Sequence, residues 1–254
     1  MSDFDYGKIH VVIDMYGTAI DTSSLGANLV GQGFAGGNPD KCEELAKLWQ
    51  QKQDEWKQWS NNNTTGTRLS AKEMLLRSFR DAADLLGVDL NGEFKDDEKL
   101  MTDIEESYIN LKDFPGVSKA LNKIDHESGI MYTLATDSSE CLVTATLSKY
   151  LLKNIPIAST SFEDSGIEYY RPHRELYDEC VRGVDMQDHP QDVYWVSANP
   201  NDIVGARAAG LTAVYIDRED KGWTNVVGSH YTPSFTTKDI EEAVDKIINI
   251  KRTA

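Results

Sequence analysis

At 254 residues the chain can bury a substantial core, and it fits either one large domain or a domain carrying a sizeable insertion. Apolar residues make up 40% and charged residues 27%, and no stretch approaches the roughly 18 consecutive apolar residues of a membrane span. A formal charge of −16 opposes nucleic acid and anionic membrane surfaces, so neither is an expected partner and a small-molecule substrate is. The same field disfavours anionic ligands, so an acid-binding pocket must supply its own local positive charge or backbone donors.

The N-terminal residues lack a basic segment and lead into only a short apolar run, so no signal peptide is expected. Cys42, Cys141 and Cys180 are odd in number and irregular in spacing, which reads as reduced thiols in a cytoplasmic protein.

Residues 9–13, Ile-His-Val-Val-Ile, form a continuous run rich in β-branched side chains, as in a strand buried on both faces of a parallel sheet. The next stretch, 22–112, reads as almost pure helix. Within it Leu45, Leu48, Trp49, Lys52, Trp56 and Trp59 fall close to one helical face, 71–86 is a second amphipathic segment, and 61–66 is a turn. Too long for one crossover, this stretch predicts a helical cap domain at 22–112 inserted into a core of 1–21 and 113–254. An aromatic stripe at helical spacing reads first as cap core, with Trp49, Trp56 or Trp59 walling a pocket as the alternative.

Further strands are predicted at 130–135, 193–196 and 212–216, with a weaker one at 155–158, and helices at 138–152, 174–183, 202–209 and 238–250. Alternating strands and helices predict an α/β fold with a doubly wound, Rossmann-like parallel sheet.

Ligands of such sheets bind beyond the carboxyl ends of the strands. Asp14 follows the first strand, Thr136 and Asp137 follow the run at 130–135, Arg171 precedes the Pro172 segment, and Ser197, Asn199 and Asp202 follow 193–196. Any one of these could merely cap a helix or close a turn; four that converge on one crevice make a chemical site.

These segments resemble the motifs of the haloacid dehalogenase superfamily, in its L-2-haloacid dehalogenase branch. Asp14-Met15-Tyr16-Gly17-Thr18-Ala19-Ile20-Asp21 resembles the first motif and Thr136 takes the second. Arg171-Pro172 resembles the third, and the run from Val196 through Asp202 to Arg207, followed by Ala209-Gly210-Leu211, resembles the fourth. The likeness implies that Asp14 attacks substrate and forms an aspartyl ester that water hydrolyses. It further implies a cation at Arg171, where the family usually has lysine, with Ser197, Asn199 and Asp202 holding that cation and placing the water. Tyr16, Thr18, Gln50, Thr136, Asp137 and Asn201 are the implied substrate-binding residues. No cofactor and no metal ligand is expected, and a homodimer is the family expectation.

Phosphatases of the superfamily carry an acid-base aspartate two residues after the nucleophile, whereas this chain has Tyr16, which favours carbon over phosphorus. Within the carbon branch, Gln50 stands for the family's cap arginine, Asp137 for its second-motif asparagine and Asn201 for its fourth-motif tryptophan. Relative to the family pattern the pocket loses one positive charge and gains one negative. That change points to a cationic or zwitterionic leaving group, as in ring-opening of azetidine-2-carboxylate, if Asp137 faces the pocket rather than capping the next helix. The alternatives are halide release from a 2-haloacid, Mg-dependent phosphate hydrolysis, and an inactive scaffold that binds a small ligand.

Overall fold

The computed structural model describes residues 9–63, 69–91, 94–138, 142, 145–146, 169–224 and 230–253. The predicted strand at 155–158 lies outside these residues, as do most of the predicted helix at 138–152 and residues 64–66 of the predicted turn, whose Asn61 and Asn62 instead continue a helix.

Among the described residues five parallel strands, β1 (Ile9–Asp14), β4 (Ile130–Ala135), β5 (Val193–Ser197), β6 (Thr212–Ile216) and β7 (Phe235–Thr237), form the central sheet in the order β4-β1-β5-β6-β7. Every residue of β1 is buried, as its unbroken apolar run requires. Alternate side chains enter different cores. Ile9, Val11 and Ile13 join Val117, Leu121 and Ile124 of α5 (Val117–Asp125) and Val244 and Ile247 of α8 (Ile240–Thr253). Val12, on the other face, joins Trp195, Tyr177 of α6 (Arg174–Gly183) and Ile203 of α7 (Pro200–Ala208). The sheet is therefore doubly wound.

Between β1 and β4 a two-residue antiparallel ribbon, β2 (Ile20–Asp21) with β3 (Lys112–Asp113), draws the chain together on either side of a helical segment. That segment holds α1 (Leu25–Gly31), α2 (Pro39–Asn62), α3 (Ala71–Leu85) and α4 (Asp97–Ile109). Asn38 starts α2 by accepting from the Lys41 N–H, with Pro39 preset for the first turn. Ser70 and Glu73 make a reciprocal capping box that fixes the start of α3.

The aromatic stripe of α2 divides along its length. Trp49 is wholly buried against Phe79 and Tyr108 and donates to Ser78 Oγ, whereas Trp59 is 47% exposed, so the core reading holds for Trp49 and fails for Trp59. The last two helices also begin elsewhere than their patterns predicted, at Pro200 and Ile240. Asn199 rather than Asp202 caps α7, accepting from the Asn201 N–H, which leaves the Asp202 carboxylate for other partners. Among the described residues no helix is long and apolar enough to cross a membrane.

Candidate active site

β1 lies between β4 and β5, so the ends of these three strands are neighbours, and Asp14 is level with Ala135. Beyond them a cavity of about 300 Å³ opens between the sheet and α2. It is lined by Asp14, Tyr16, Thr18, Gln50, Thr136, Asp137, Arg171, Asn199, Asn201 and Asp202. Ser197 stands behind Asp14, fully buried. The candidate residues thus converge.

After β1 the chain turns sharply. The Ala19 N–H donates to Asp14 O at 3.2 Å and Gly17, at φ +82°, occupies the left-handed region that a side chain would strain. The turn brings Thr18 back over the strand end, where its hydroxyl donates to Asp14 Oδ2 at 2.6 Å and accepts from the Ala198 N–H at 2.9 Å. Ser197 Oγ donates to the same Oδ2 at 3.2 Å and accepts from the Asn199 N–H at 3.1 Å. Arg218, stacked over Phe114 with 3.6 Å between guanidinium and ring centroid, donates to the carbonyls of Gly17 and Thr18 and pins the turn from outside.

Arg171 is the hub of the site. Its Nη1 donates to Asp14 Oδ1 at 2.7 Å and to Asp202 Oδ2 at 3.0 Å, and its Nε donates to Asp137 Oδ1 at 2.6 Å. Burial opposes its charge, but Asp137, Asp202 and Asp14 together raise its pKa well above the usual arginine value, so it stays a cation. Asp202 is held further by Trp195 Nε1 at 2.8 Å and by the Tyr177 hydroxyl. Burial raises the Asp202 carboxyl, Arg171 counters it, and the net direction remains upward.

Asp137 faces the cavity. The Ser138 N–H is taken by Thr136 Oγ1 at 3.2 Å, while the Asp137 carboxylate meets Arg171 and, through Oδ2 at 3.1 Å, Lys57 Nζ. Burial would raise its pKa, yet Arg171 and Lys57 bring it below the usual carboxylate range. Lys57 corrects the charge count drawn from sequence. The positive charge absent at Gln50 is supplied two helical turns later on the same face of α2.

Gln50, Gln53, Asp54, Lys57 and Gln58 all line the cavity, a polar stripe at helical spacing that could have revealed Lys57. Tyr177 and Trp195 had no comparable signal, because their hold on Asp202 arises only when α6 and β5 pack. Tyr16 donates to or accepts from Thr146 Oγ1 at 3.2 Å and stands edge-on to Tyr108. Burial pushes the Tyr16 phenol far upward, so it remains protonated at neutral pH.

The arrangement provides a buried carboxylate with fixed orientation, a permanent cation against it, and two hydroxyl donors on one of its oxygens. Such a group can attack an electrophilic atom placed in the cavity. Nη1 of Arg171 lies between Asp14 and Asp202, at 2.7 and 3.0 Å. Among the described residues no group of three or more His, Cys, Asp or Glu side chains is arranged to hold a metal ion.

Residues 10–210 match the family of haloacid dehalogenase-like hydrolases. Over 243 residues the chain is 25% identical to haloacetate dehalogenase H-2 of Moraxella sp. (strain B), covering 93% of this chain and 96% of that protein. Over 217 residues it is 25% identical to (S)-2-haloacid dehalogenase 4A of Burkholderia cepacia, covering 82% of each. The L-2-haloacid dehalogenase from Xanthobacter autotrophicus shares the fold with a TM-score of 0.76 at 17% identity, over 94% of this chain and 98% of that one.

Proposed function

The chain belongs to the haloacid dehalogenase-like hydrolases, and from that premise we propose that Asp14 displaces a leaving group from carbon of a small 2-substituted carboxylic acid. The observation that carries this reading is the hold on Asp14. Oδ2 already accepts from Thr18 and Ser197, whereas Oδ1 accepts from Arg171 alone among the described residues and keeps a lone pair for attack. As Oδ1 bonds to carbon the leaving group departs with the bonding pair, and an ester of Asp14 results. Water then adds to the ester carbonyl carbon, Thr18 and Ser197 stabilise negative charge on Oδ2, and the hydroxy acid leaves with the former Oδ1. In this scheme Arg171 fixes the orientation of Asp14, Asp202 holds Arg171, and residues 22–112 form the cap over the cavity.

The leaving group we assign is a ring nitrogen, as in azetidine-2-carboxylate. Asp137, held between Lys57 and Arg171, is an acceptor for the protonated ring nitrogen of such a substrate; the C–N bonding pair stays on that nitrogen, which regains a proton from water after ring opening. Attack on phosphorus is disfavoured because Tyr16 keeps its proton near neutral pH and cannot shuttle it.

Turnover of azetidine-2-carboxylate in H₂¹⁸O tests both parts. Under single turnover the label is expected in the Asp14 peptide and not in the product hydroxyl, and Asp14→Asn is expected to remove turnover while preserving the fold. Label in the product alone sinks the ester. Chloride release from 2-chloropropionate, with azetidine-2-carboxylate left intact, sinks the nitrogen assignment.

A further inference from the structure

Lys57 and Arg171 are the cations lining the cavity among its described residues, and they are not equally available. Arg171 is committed to three carboxylates, Asp14, Asp137 and Asp202. Lys57 has one ion-pair partner there, Asp137 at 3.1 Å, and its side chain is 20% exposed. An ammonium carries three N–H donors, so one ion pair leaves it donors for a second acceptor.

The pair also spans the two halves of the fold, with Lys57 on α2 and Asp137 just beyond β4. It presents a cation and an anion side by side on the cavity wall, in a protein whose net charge of −16 makes a local cation favourable for binding an acid. A ligand carrying a carboxylate and an ammonium on adjacent atoms can satisfy both groups at once, its carboxylate on Lys57 and its ammonium on Asp137. A ligand with a carboxylate alone gains a partner only at Lys57 and an amine alone only at Asp137, while the existing ion pairs of the two residues persist.

We infer that Lys57 binds the substrate carboxylate and that, paired with Asp137, it selects small zwitterionic 2-amino acids. The inference rests on the proposed reading of the cavity as the substrate site. Gln50, Gln53 and Asp54 line the cavity from the same face of α2, and of these three only Asp54 carries charge.

Calorimetric titration in an Asp14→Asn background, where ligand is not consumed, tests this with L-azetidine-2-carboxylate and its carboxamide. Lys57→Met is expected to weaken the acid by about tenfold or more, the worth of one hydrogen bond to a charged group, and to change the carboxamide by less than about twofold. Lys57→Arg is expected to restore most of the loss. Equal weakening of acid and carboxamide, no weakening of either, or no saturable binding of the acid at millimolar concentration with Lys57 in place overturns the assignment. Wild-type enzyme in H₂¹⁸O separates the two claims. Binding that depends on Lys57 without label at Asp14 leaves the zwitterion site standing and removes the ester mechanism.

Discussion

Nη1 of Arg171 lies 2.7 Å from Oδ1 of Asp14, the oxygen that Thr18 and Ser197 leave free. The same nitrogen reaches Asp202 at 3.0 Å and Nε reaches Asp137, so one planar cation fixes three buried carboxylates in a single geometry. Lysine keeps the charge but has one nitrogen on a flexible stem, and it cannot make these contacts together. Arg171→Lys is expected to lower kcat by about 100-fold, in the range seen when one preorganised charge-stabilising donor is lost. A kcat within a factor of two or so of wild type would remove Arg171 from the chemistry.

Removing the cation altogether is a stability experiment. Arg171→Met leaves Asp14, Asp137 and Asp202 without their shared partner, and breaking a buried ion pair from one side costs about 3–5 kcal/mol. The sign with pH follows. Burial already raises the Asp202 carboxyl and Arg171 opposes that rise, so without Arg171 it titrates higher still in the folded chain and the variant regains stability as pH falls through that raised value. Urea melts of the variant and wild type from neutral pH downward check this, and a deficit that widens on acidification contradicts it.

Gly205 of α7 lies against Tyr177. A Cβ added there would stand 2.6 Å from the tyrosine ring and hydroxyl, and Tyr177 is fully buried with no room to retreat. Gly205→Ala is therefore expected to cost about 1–3 kcal/mol through overpacking. It should also push the Tyr177 hydroxyl away from Asp202, loosening the partner of Arg171 and lowering kcat more than it raises KM. Tyr177→Leu added to Gly205→Ala should recover stability without recovering kcat. Additive losses in that double variant would show that the two residues do not share the space.

The sheet was legible wherever burial on both faces forced an unbroken apolar run. Residues 130–135 and 212–216 were read to their ends, and β1 and β5 differ from their predicted ends by one residue, Asp14 and Ser197. Asp14 lines the cavity and Ser197 donates to it, and as polar side chains both end the apolar run of their strands. The β2 and β3 ribbon and the edge strand β7 escaped because two or three residues carry no measurable alternation, and pairing partners define them. In the site, Asp14, Arg171 and Asp202 could be anticipated from topology, which gathers strand ends. Lys57 could not be reached that way, since it arrives from a helix of the inserted segment; its signal lay in the polar face it shares with Gln50.

Trp49 and Trp59 look equivalent in sequence and should behave differently. Trp49 is completely buried, edge-on to Phe79 and Tyr108, with its indole N–H on Ser78; Trp59 is nearly half exposed and packs against Trp56. Trp49→Ala is expected to cost about 3–5 kcal/mol. Trp59→Ala should stay within about 0.5 kcal/mol of wild type. Chemical denaturation of both variants distinguishes them, and a comparable loss for Trp59 would mean that the exposed end of α2 is covered in solution.

His10 carries the last expectation. It sits in the middle of the sheet with Nε2 3.1 Å from Thr133 Oγ1 and with Nδ1 buried without a hydrogen-bond partner among the described residues. A second proton on the ring would place a charge and an unsatisfied donor in the core, and burial lowers the imidazole from 6.5 to about 4. Between those values the unfolded chain binds a proton that the folded chain refuses. Stability contributed by neutral His10 is thus fully present above 6.5 and is lost as pH falls toward 4, by about 3 kcal/mol in total. Carboxylates titrate over part of the same range, so the informative quantity is the difference between wild type and His10→Gln, which has no titrating group at that position. That difference is expected to shift against the wild type by this amount on acidification from pH 7, measured by urea denaturation at each pH. Parallel pH profiles would mean that His10 gains a partner for its second nitrogen when it is protonated.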